Sequence, residues 1–177
     1  IGAALPEGFF VFTSNVDGQF QTAGFDAAHV VECHGSIHHL QCLAGCSTVI
    51  WSADDFVPEV DEERCQLVSD LPLCPQCGAL ARPNILMFGD WGWLESRTAR
   101  QEQGMARWRR SVERLLVIEI GAGSAIPTVR RLGESLSGQL VRINPREAQI
   151  AQGKGVSIAQ DSYAALSAIE LALGSMA

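Results

Sequence analysis

Two cysteine pairs constrain this chain more than any other feature. Cys42-Leu-Ala-Gly-Cys46 is followed, after a spacer of 27 residues, by Cys74-Pro-Gln-Cys77-Gly78. Two close pairs on separate turns are what a tetrahedral tetrathiolate needs. Each turn delivers two sulfurs, and Gly78 frees the backbone after the second. Four thiolates leave no open coordination position, so the ion expected is a structural zinc. Two disulfides, or a redox Cys-x-x-Cys, are the competing readings of the same residues. Cys33 and Cys65 are left over and read as small apolar residues, with Cys65 able to replace Cys46 if the loop folds differently. His38 and His39 are either spare ligands or a half-buried and a solvent-facing histidine. Thiolates held for a metal belong in a reducing compartment, and the expected localisation is cytoplasmic.

The sequence around the pairs alternates strand and helix signals. Phe9–Thr13, His29–Glu32, Leu115–Ile120, Leu140–Ile143 and Val156–Ile158 are short runs with β-branched or aromatic residues and read as strands. Residues 95–113, 127–137 and 162–173 read as helices, the second opening on Pro127. Such alternation predicts an α/β fold: a Rossmann-like parallel sheet with helices on both faces. Residues 41–88 break the rhythm with paired cysteines and a run of acids, and read as a small inserted zinc-binding module. The expected division is therefore 1–40 with 89–177 as the main domain and 41–88 as the insert. A length of 177 residues suits one such domain, and a hydrophobic content of 47% supplies a core.

Charge narrows the partners. The formal net charge is −7, with no Lys/Arg-rich stripe, which argues against nucleic acid as the ligand. An acidic surface suits a basic, lysine-bearing partner, and it is also ordinary solubilising charge. No window approaches the roughly 18 apolar residues of a membrane span, so no membrane partner is expected. The opening residues, Ile1 to Pro6, lack the basic region and apolar run of a signal peptide.

In sheets of this kind ligands sit beyond the carboxyl ends of the strands, and the polar signatures of this chain lie there. Thr13-Ser14-Asn15-Val16-Asp17-Gly18 follows the first strand, and Glu32-Cys33-His34-Gly35-Ser36 closes the second. Gly121-Ala122-Gly123-Ser124 and Asn144-Pro145 follow later strands, and Asp161-Ser162 opens the last helix. A histidine beside glycine at a strand end suits a general base. Asn15 and Asp17 are placed to hold sugar hydroxyls or a water, or merely to cap a turn. The glycines at 121 and 123 let a ligand approach the backbone. Asn144 is otherwise a turn residue before Pro145, and Asp161 with Ser162 a helix N-terminus.

These motifs together resemble the sirtuin family. Its Thr-Gln-Asn-Ile-Asp-Gly is similar to residues 13–18, and its Glu-x-His-Gly-Ser to residues 32–36. Its Leu-Arg-Pro-x-Val-Val-x-Phe-Gly-Glu resembles Ala81-Arg82-Pro83-Asn84-Ile85-Leu86-Met87-Phe88-Gly89-Asp90. Ile120–Ser124, whose Ala122-Gly123 turn lacks the usual Thr-Ser hydroxyls, sits where the family has Ile-Gly-Thr-Ser, and Ile143-Asn144 where it has Ile-Asn. The order and rough spacing hold from about residue 9 to residue 173.

The resemblance implies an NAD-dependent protein-lysine deacylase of a divergent, bacterial-like branch. The acyl-lysine oxygen attacks the nicotinamide ribose, nicotinamide leaves, and His34 deprotonates a ribose hydroxyl, giving O-acyl-ADP-ribose and free lysine. Asn15 and Asp17 are implied as catalytic partners. Ser14, Asn15, Asp17, Gly121, Ala122, Gly123, Ser124, Asn144, Asp161 and Ser162 are implied as NAD contacts. Ile85, Leu86, Met87, Phe88 and Gly89 are implied to line the channel for the acylated lysine of a protein substrate, added as a strand. Cys42, Cys46, Cys74 and Cys77 are implied as zinc ligands.

Alternatives are a sirtuin-like ADP-ribosyltransferase or NAD hydrolase, or a zinc-stabilised interaction domain without turnover. The family's Gly-Ala-Gly-x-Ser phosphate loop is not found before residue 13, so the chain is expected to be either N-terminally incomplete or a degenerate homologue, with weakened NAD binding. Ser14 stands where the family has Gln, Asp90 where it has Glu, and Trp91-Gly92-Trp93 follows, either capping the channel or packing inside.

Overall fold

A computed structural model describes residue 2 and residues 5–174. Ile1, Ala3 and Ala4, on which the reading of the opening residues partly rests, lie outside them. The chain divides into two compact units, Phe10–Arg107 and Ile1–Phe9 with Trp108–Ala177.

The Phe10–Arg107 unit begins with two short strands, β1 (Val11–Thr13) and β2 (Val30–Glu32). They pair in parallel, Val11 opposite Val30 and Thr13 opposite Glu32. Val30 and Val31 are fully buried, which is what a continuous apolar run in a parallel strand leads one to expect. Between the strands a single helical turn, α1 (Gln19–Thr22), follows Gly18, whose φ of 68° is open to glycine.

A second sheet is antiparallel, in the order β4 (Ile50–Ser52), β3 (Gly35–Cys42), β7 (Ala81–Ile85). Its ladder is interrupted. Register runs from Gly35–Ile85 and Ser36–Asn84 directly to Leu40–Pro83, so Ile37, His38 and His39 have no partner on β7. Pro83 has no N–H to give to a ladder, and β3 takes a three-residue detour opposite it.

Between β4 and β7 lie a two-residue hairpin, β5 (Val60–Asp61) with β6 (Gln66–Leu67), and the second cysteine turn. The part of helix α2 (Ser96–Ser111) within this unit is fastened to β2: Thr98 Oγ1 donates to the Glu32 carbonyl at 3.0 Å, the Glu32 amide donates to Gln101 Oε1 at 3.2 Å, and Arg97 pairs with the buried Glu32 carboxylate.

The other unit is built on three parallel strands in the order β10 (Gly155–Ile158), β9 (Gln139–Ile143), β8 (Leu116–Ile120). Leu140 and Ile143 on the central strand are buried, together with Ala148 and Ala165. Helix α3 (Thr128–Ser135) crosses from β8 to β9, with Pro127 at its N-terminus, and α4 (Ser162–Gly174) closes the chain. The parallel strands, with α3 between β8 and β9 and α4 after β10, agree with the expected α/β class.

One cross-strand pair in this unit is charged. Arg142 on β9 lies opposite Glu119 on β8, both almost fully buried, and grips its carboxylate through Nε at 2.5 Å and Nη2 at 3.0 Å. Nη2 also reaches Glu134 of α3 at 2.8 Å and Nη1 the Gln149 carbonyl at 2.7 Å. These bonds hold the guanidinium firmly protonated, Glu119 above all. Such a satisfied fork is what makes a buried ion pair tolerable.

Candidate active site and metal centre

Gly35 fixes the corner that carries His34. Its φ is +83°, and a Cβ there would lie 1.9 Å from the Asn84 carbonyl oxygen, so only glycine lets β3 leave β2 this close to β7. The result joins three of the predicted segments. The His34 carbonyl accepts the Leu86 N–H at 2.9 Å, Gly35 pairs with Ile85, and Cys33 N–H bonds the Thr13 carbonyl at 2.9 Å. His34 itself is half-buried. Cys33 beside it is a buried thiol, pushed up to about 11 by desolvation.

The detour of β3 holds the Asn15–Gly18 turn. Ile37 N–H donates to the Val16 carbonyl at 2.9 Å, and His38 Nε2 lies 3.1 Å from the Asp17 carbonyl oxygen. The His38 ring also covers Gly18, where a Cβ would meet it at 2.7 Å. Asn15 and Asp17 are exposed on this turn and Ser14 is half-buried. Asp17 Oδ1 accepts the Gln19 N–H at 3.2 Å and Thr13 Oγ1 the Asn15 N–H at 3.0 Å. The Asp17 carboxylate thus caps its turn, and the Asn15 side chain stands at the surface.

A buried amide pair supports the segment after β7. Asn84 donates to Gln41 Oε1 at 2.8 Å and to the Leu94 carbonyl at 3.0 Å, while Gln41 donates to the Gly92 carbonyl at 2.7 Å. Burial raises the Asp90 carboxyl, but Arg82 at 2.6 Å and the Gly92 amide outweigh this and hold it below the usual range. On this frame Leu86, Met87 and Gly89 are exposed, Phe88 is 90% exposed and Trp91 99% exposed. Trp93 is half-buried. Trp91 therefore does not pack inside.

Sequence reasoning did not find Gln41 or Arg97, and it quoted Asn84 and Glu32 only as motif letters. An Asn in the middle of a strand is a weak signal for a side-chain partner, and Asn84 carried it.

The four predicted metal ligands converge. The sulfurs of Cys42, Cys46, Cys74 and Cys77 all lie within 4.8 Å of one another, with Cys42–Cys77 at 3.7 Å and Cys46–Cys74 at 3.5 Å. Tetrahedral zinc with bonds of about 2.3 Å requires edges of about 3.8 Å, so the cluster fits. Two of its thiols are shifted in opposite directions. The Cys46 amide holds Cys42 down at about 6, whereas Cys77 and the other sulfurs push Cys46 up to about 12. A dication removes that conflict.

Backbone bonds shape the second turn: Gly78 N–H to the Cys74 carbonyl at 2.9 Å, and Cys74 N–H to the Ala79 carbonyl at 2.7 Å. Cys65 sits outside the cluster in the β5–β6 turn, at φ 52°, with its thiol on the Glu62 carbonyl. His39 is half-buried and His38 exposed, and neither joins the metal group.

In the unit built on β8 to β10, Gly121 has φ +68°, and nothing lies within 4 Å of a Cβ built on Gly121 or Gly123. Ala122 accepts from Asn144 Nδ2 at 3.1 Å, and Asn144 Oδ1 receives the Arg146 and Glu147 amides, both at 2.9 Å. Asn144 thus acts as the clasp of its own turn. The Ser124 amide is held by the Glu147 carboxylate at 2.7 Å, a contact the sequence did not suggest. Asp161 caps α4 through the Ala164 amide at 2.9 Å, and Ser162 is exposed.

The family model described as "Sir2 family" matches residues 5–118. The chain belongs to the Sir2 family. A probable bifunctional ADP-ribose hydrolase/ADP-ribosyltransferase of Fusarium oxysporum f. sp. cubense is 32% identical over 69% of this chain and 22% of its own length. NAD-dependent protein deacylase 2 of Pyrobaculum aerophilum is 33% identical over 76% and 47%, and the NAD-dependent protein deacylase of Aquifex aeolicus 26% identical over 81% and 53%. The chain thus spans about half, or less, of the length of these curated relatives. Among solved sirtuins, one from "The Structural basis for Sirtuin Substrate affinity" covers 93% of this chain and 64% of its own, at a TM-score of 0.64 and 24% identity. That likeness establishes the sirtuin fold, and the four-cysteine cluster fits a structural zinc site.

Proposed function

We propose that this chain is part of an NAD-dependent protein-lysine deacylase that releases nicotinamide and O-acyl-ADP-ribose, with His34 as its general base. The observation that carries the reading is the His34–Gly35 corner, which ties the histidine to both the Asn15–Gly18 turn and the 85–89 segment. Curated relatives named NAD-dependent protein deacylase support it.

NAD, when bound, supplies a ribosyl carbon from which nicotinamide departs. His34 takes the proton of a ribose hydroxyl on its imidazole. Asn15 and Asp17 orient that sugar or a water from their turn, beside Ser14. Ile85 to Gly89 seat the acylated lysine: Ile85 and Leu86 are fixed by the ladder to β3, while Met87 and Phe88 offer apolar surface to the acyl chain. In the other unit, Gly121, Ala122, Gly123 and Ser124, with Asn144, Asp161 and Ser162, are proposed as NAD contacts. Cys42, Cys46, Cys74 and Cys77 hold zinc in a closed shell and take no part in proton transfer. The same proposal keeps 1–40 with 89–177 as the NAD domain and 41–88 as the zinc module, and places the protein in the reducing cytoplasm, where four such thiols stay reduced.

The test is the whole gene product with NAD and an acetyl-lysine peptide, following nicotinamide and deacetylated peptide together. Both products are expected, and His34→Ala should abolish both with zinc content and fold retained. Nicotinamide without deacetylation would favour the second reading, an ADP-ribosyltransferase or NAD hydrolase, which the name of the Fusarium relative supports. A folded, zinc-loaded protein releasing no nicotinamide would point to an interaction domain.

A further inference from the structure

The metal-binding region carries a recess that the catalytic reading does not use. It is a cavity of about 270 Å³ between β3, β4 and the second cysteine turn. Sites for drug-sized molecules run to about 300–1,000 Å³, so this one suits a single side chain.

Its walls are the rings of Trp51 and Phe56, the aliphatic side chains of Leu40 and Leu73, and Pro75 from the cysteine turn itself. One lining residue is ionisable, Asp55, and it is exposed. Aromatic faces attract cations, and an aliphatic stem with a charged head fills a recess whose depth is apolar and whose rim is anionic. An anion would be repelled by this carboxylate and a cation attracted to it.

The surroundings favour a cation at longer range. Residues 41–88 hold Asp54, Asp55, Glu59, Asp61, Glu62, Glu63 and Asp70 against Arg64 and Arg82, which is five of the chain's seven net negative charges. Four zinc thiolates add to that sign.

We propose that this recess docks the ammonium-bearing side chain of an unmodified lysine from a lysine-rich segment of a protein partner, at a site separate from the 85–89 segment. It rests on the deacylase reading only in making that partner a substrate. The reacting lysine is acylated and neutral, whereas the docked one is charged. The enzyme then reads a second lysine of the same partner.

The experiment needs no NAD. A fluorescein-labelled lysine-rich peptide is titrated into the zinc-loaded 177-residue chain and its anisotropy followed, beside the same peptide with every lysine acetylated. Asp55→Asn should weaken binding of the unmodified peptide at least fivefold, and Asp55→Lys at least tenfold. The acetylated peptide should show no Asp55-dependent component. Both substitutions are at an exposed residue, and zinc content checks that each variant is folded. In the parent, the peptide should also shift the indole N–H resonance of Trp51. Equal affinity of parent and both variants, or an Asp55-dependent response to the acetylated peptide, would overturn the proposal. Loss of this binding leaves His34 chemistry standing, and absence of deacylation in the NAD assay leaves the recess standing, so the two failures are distinguishable.

Discussion

At Gly35 the backbone φ is +83° and an added Cβ would fall 1.9 Å from the Asn84 carbonyl oxygen. Alanine there meets two penalties at once, a left-handed backbone and a clash with the neighbouring strand. Gly35→Ala is expected to destabilise the protein by more than about 2 kcal/mol, read as a drop in the urea midpoint. It should also lower the rate of any reaction that needs His34 in place, because the clash pushes β3 away from the strand that positions Leu86. The contrast is Gly45, where a Cβ meets nothing within 4 Å and only the φ of +65° opposes it. Gly45→Ala should therefore be the milder change. If the two variants melt alike, the close approach at Gly35 is not what holds the corner.

Among the elements, β3 has the most to hold. One end is pinned by Gly35 to β7, its middle bonds the Asn15–Gly18 turn, and its last residue is the proposed zinc ligand Cys42. The metal region itself has little else. Its β5–β6 hairpin is two residues on each side, and Val57, Val60, Val68, Leu71 and Leu73 are all exposed. A region with so few buried apolar side chains is expected to depend on the proposed zinc, since structural zinc carries folding free energy of order 10 kcal/mol in small modules. Cys74→Ser, or a zinc chelator, should abolish amide-exchange protection at Leu43, Cys74 and Gly78. Protection at Val141 and Ile143 in the β8–β9–β10 sheet should persist. Retained protection across Cys74–Gly78 after chelation would mean that the turns fold without metal.

For the molecule as a whole, the sign of the charge sets how partners arrive. With net charge −7, association with a lysine-rich peptide should slow as salt rises while dissociation changes little, because screening acts on the encounter. Stopped-flow anisotropy at several ionic strengths checks this, and a salt-independent association rate would contradict it. The same scale shows what the sequence could reveal. The strand at 116–120 was readable from its cluster of β-branched residues and the helix at 96–111 from the spacing of Met105 and Trp108, although the side chains they bury are Glu119 and Thr98. The four metal cysteines were readable because ligand chemistry fixes their spacing. The strands β4, β5 and β6 were not, being two or three residues long and half-exposed, without a period to detect. The Gln41–Asn84 clasp joins residues 43 apart in the chain, and no local rule pairs them. Nor does any local rule anticipate Glu147 on the Ser124 amide, a contact made by two loops that the sheet brings together.

The detour at Ile37–His39 makes β3 a ruler. Its two paired stretches are in register only because three residues loop out opposite Pro83. Deleting one of them would either shorten the reach to Val16 and Asp17 or slide Cys42 past Ala81, so an alteration meant for the histidine corner would be felt at the metal. Zinc affinity is then a distant gauge of the geometry around His34, readable with a colorimetric chelator and requiring neither cofactor nor substrate.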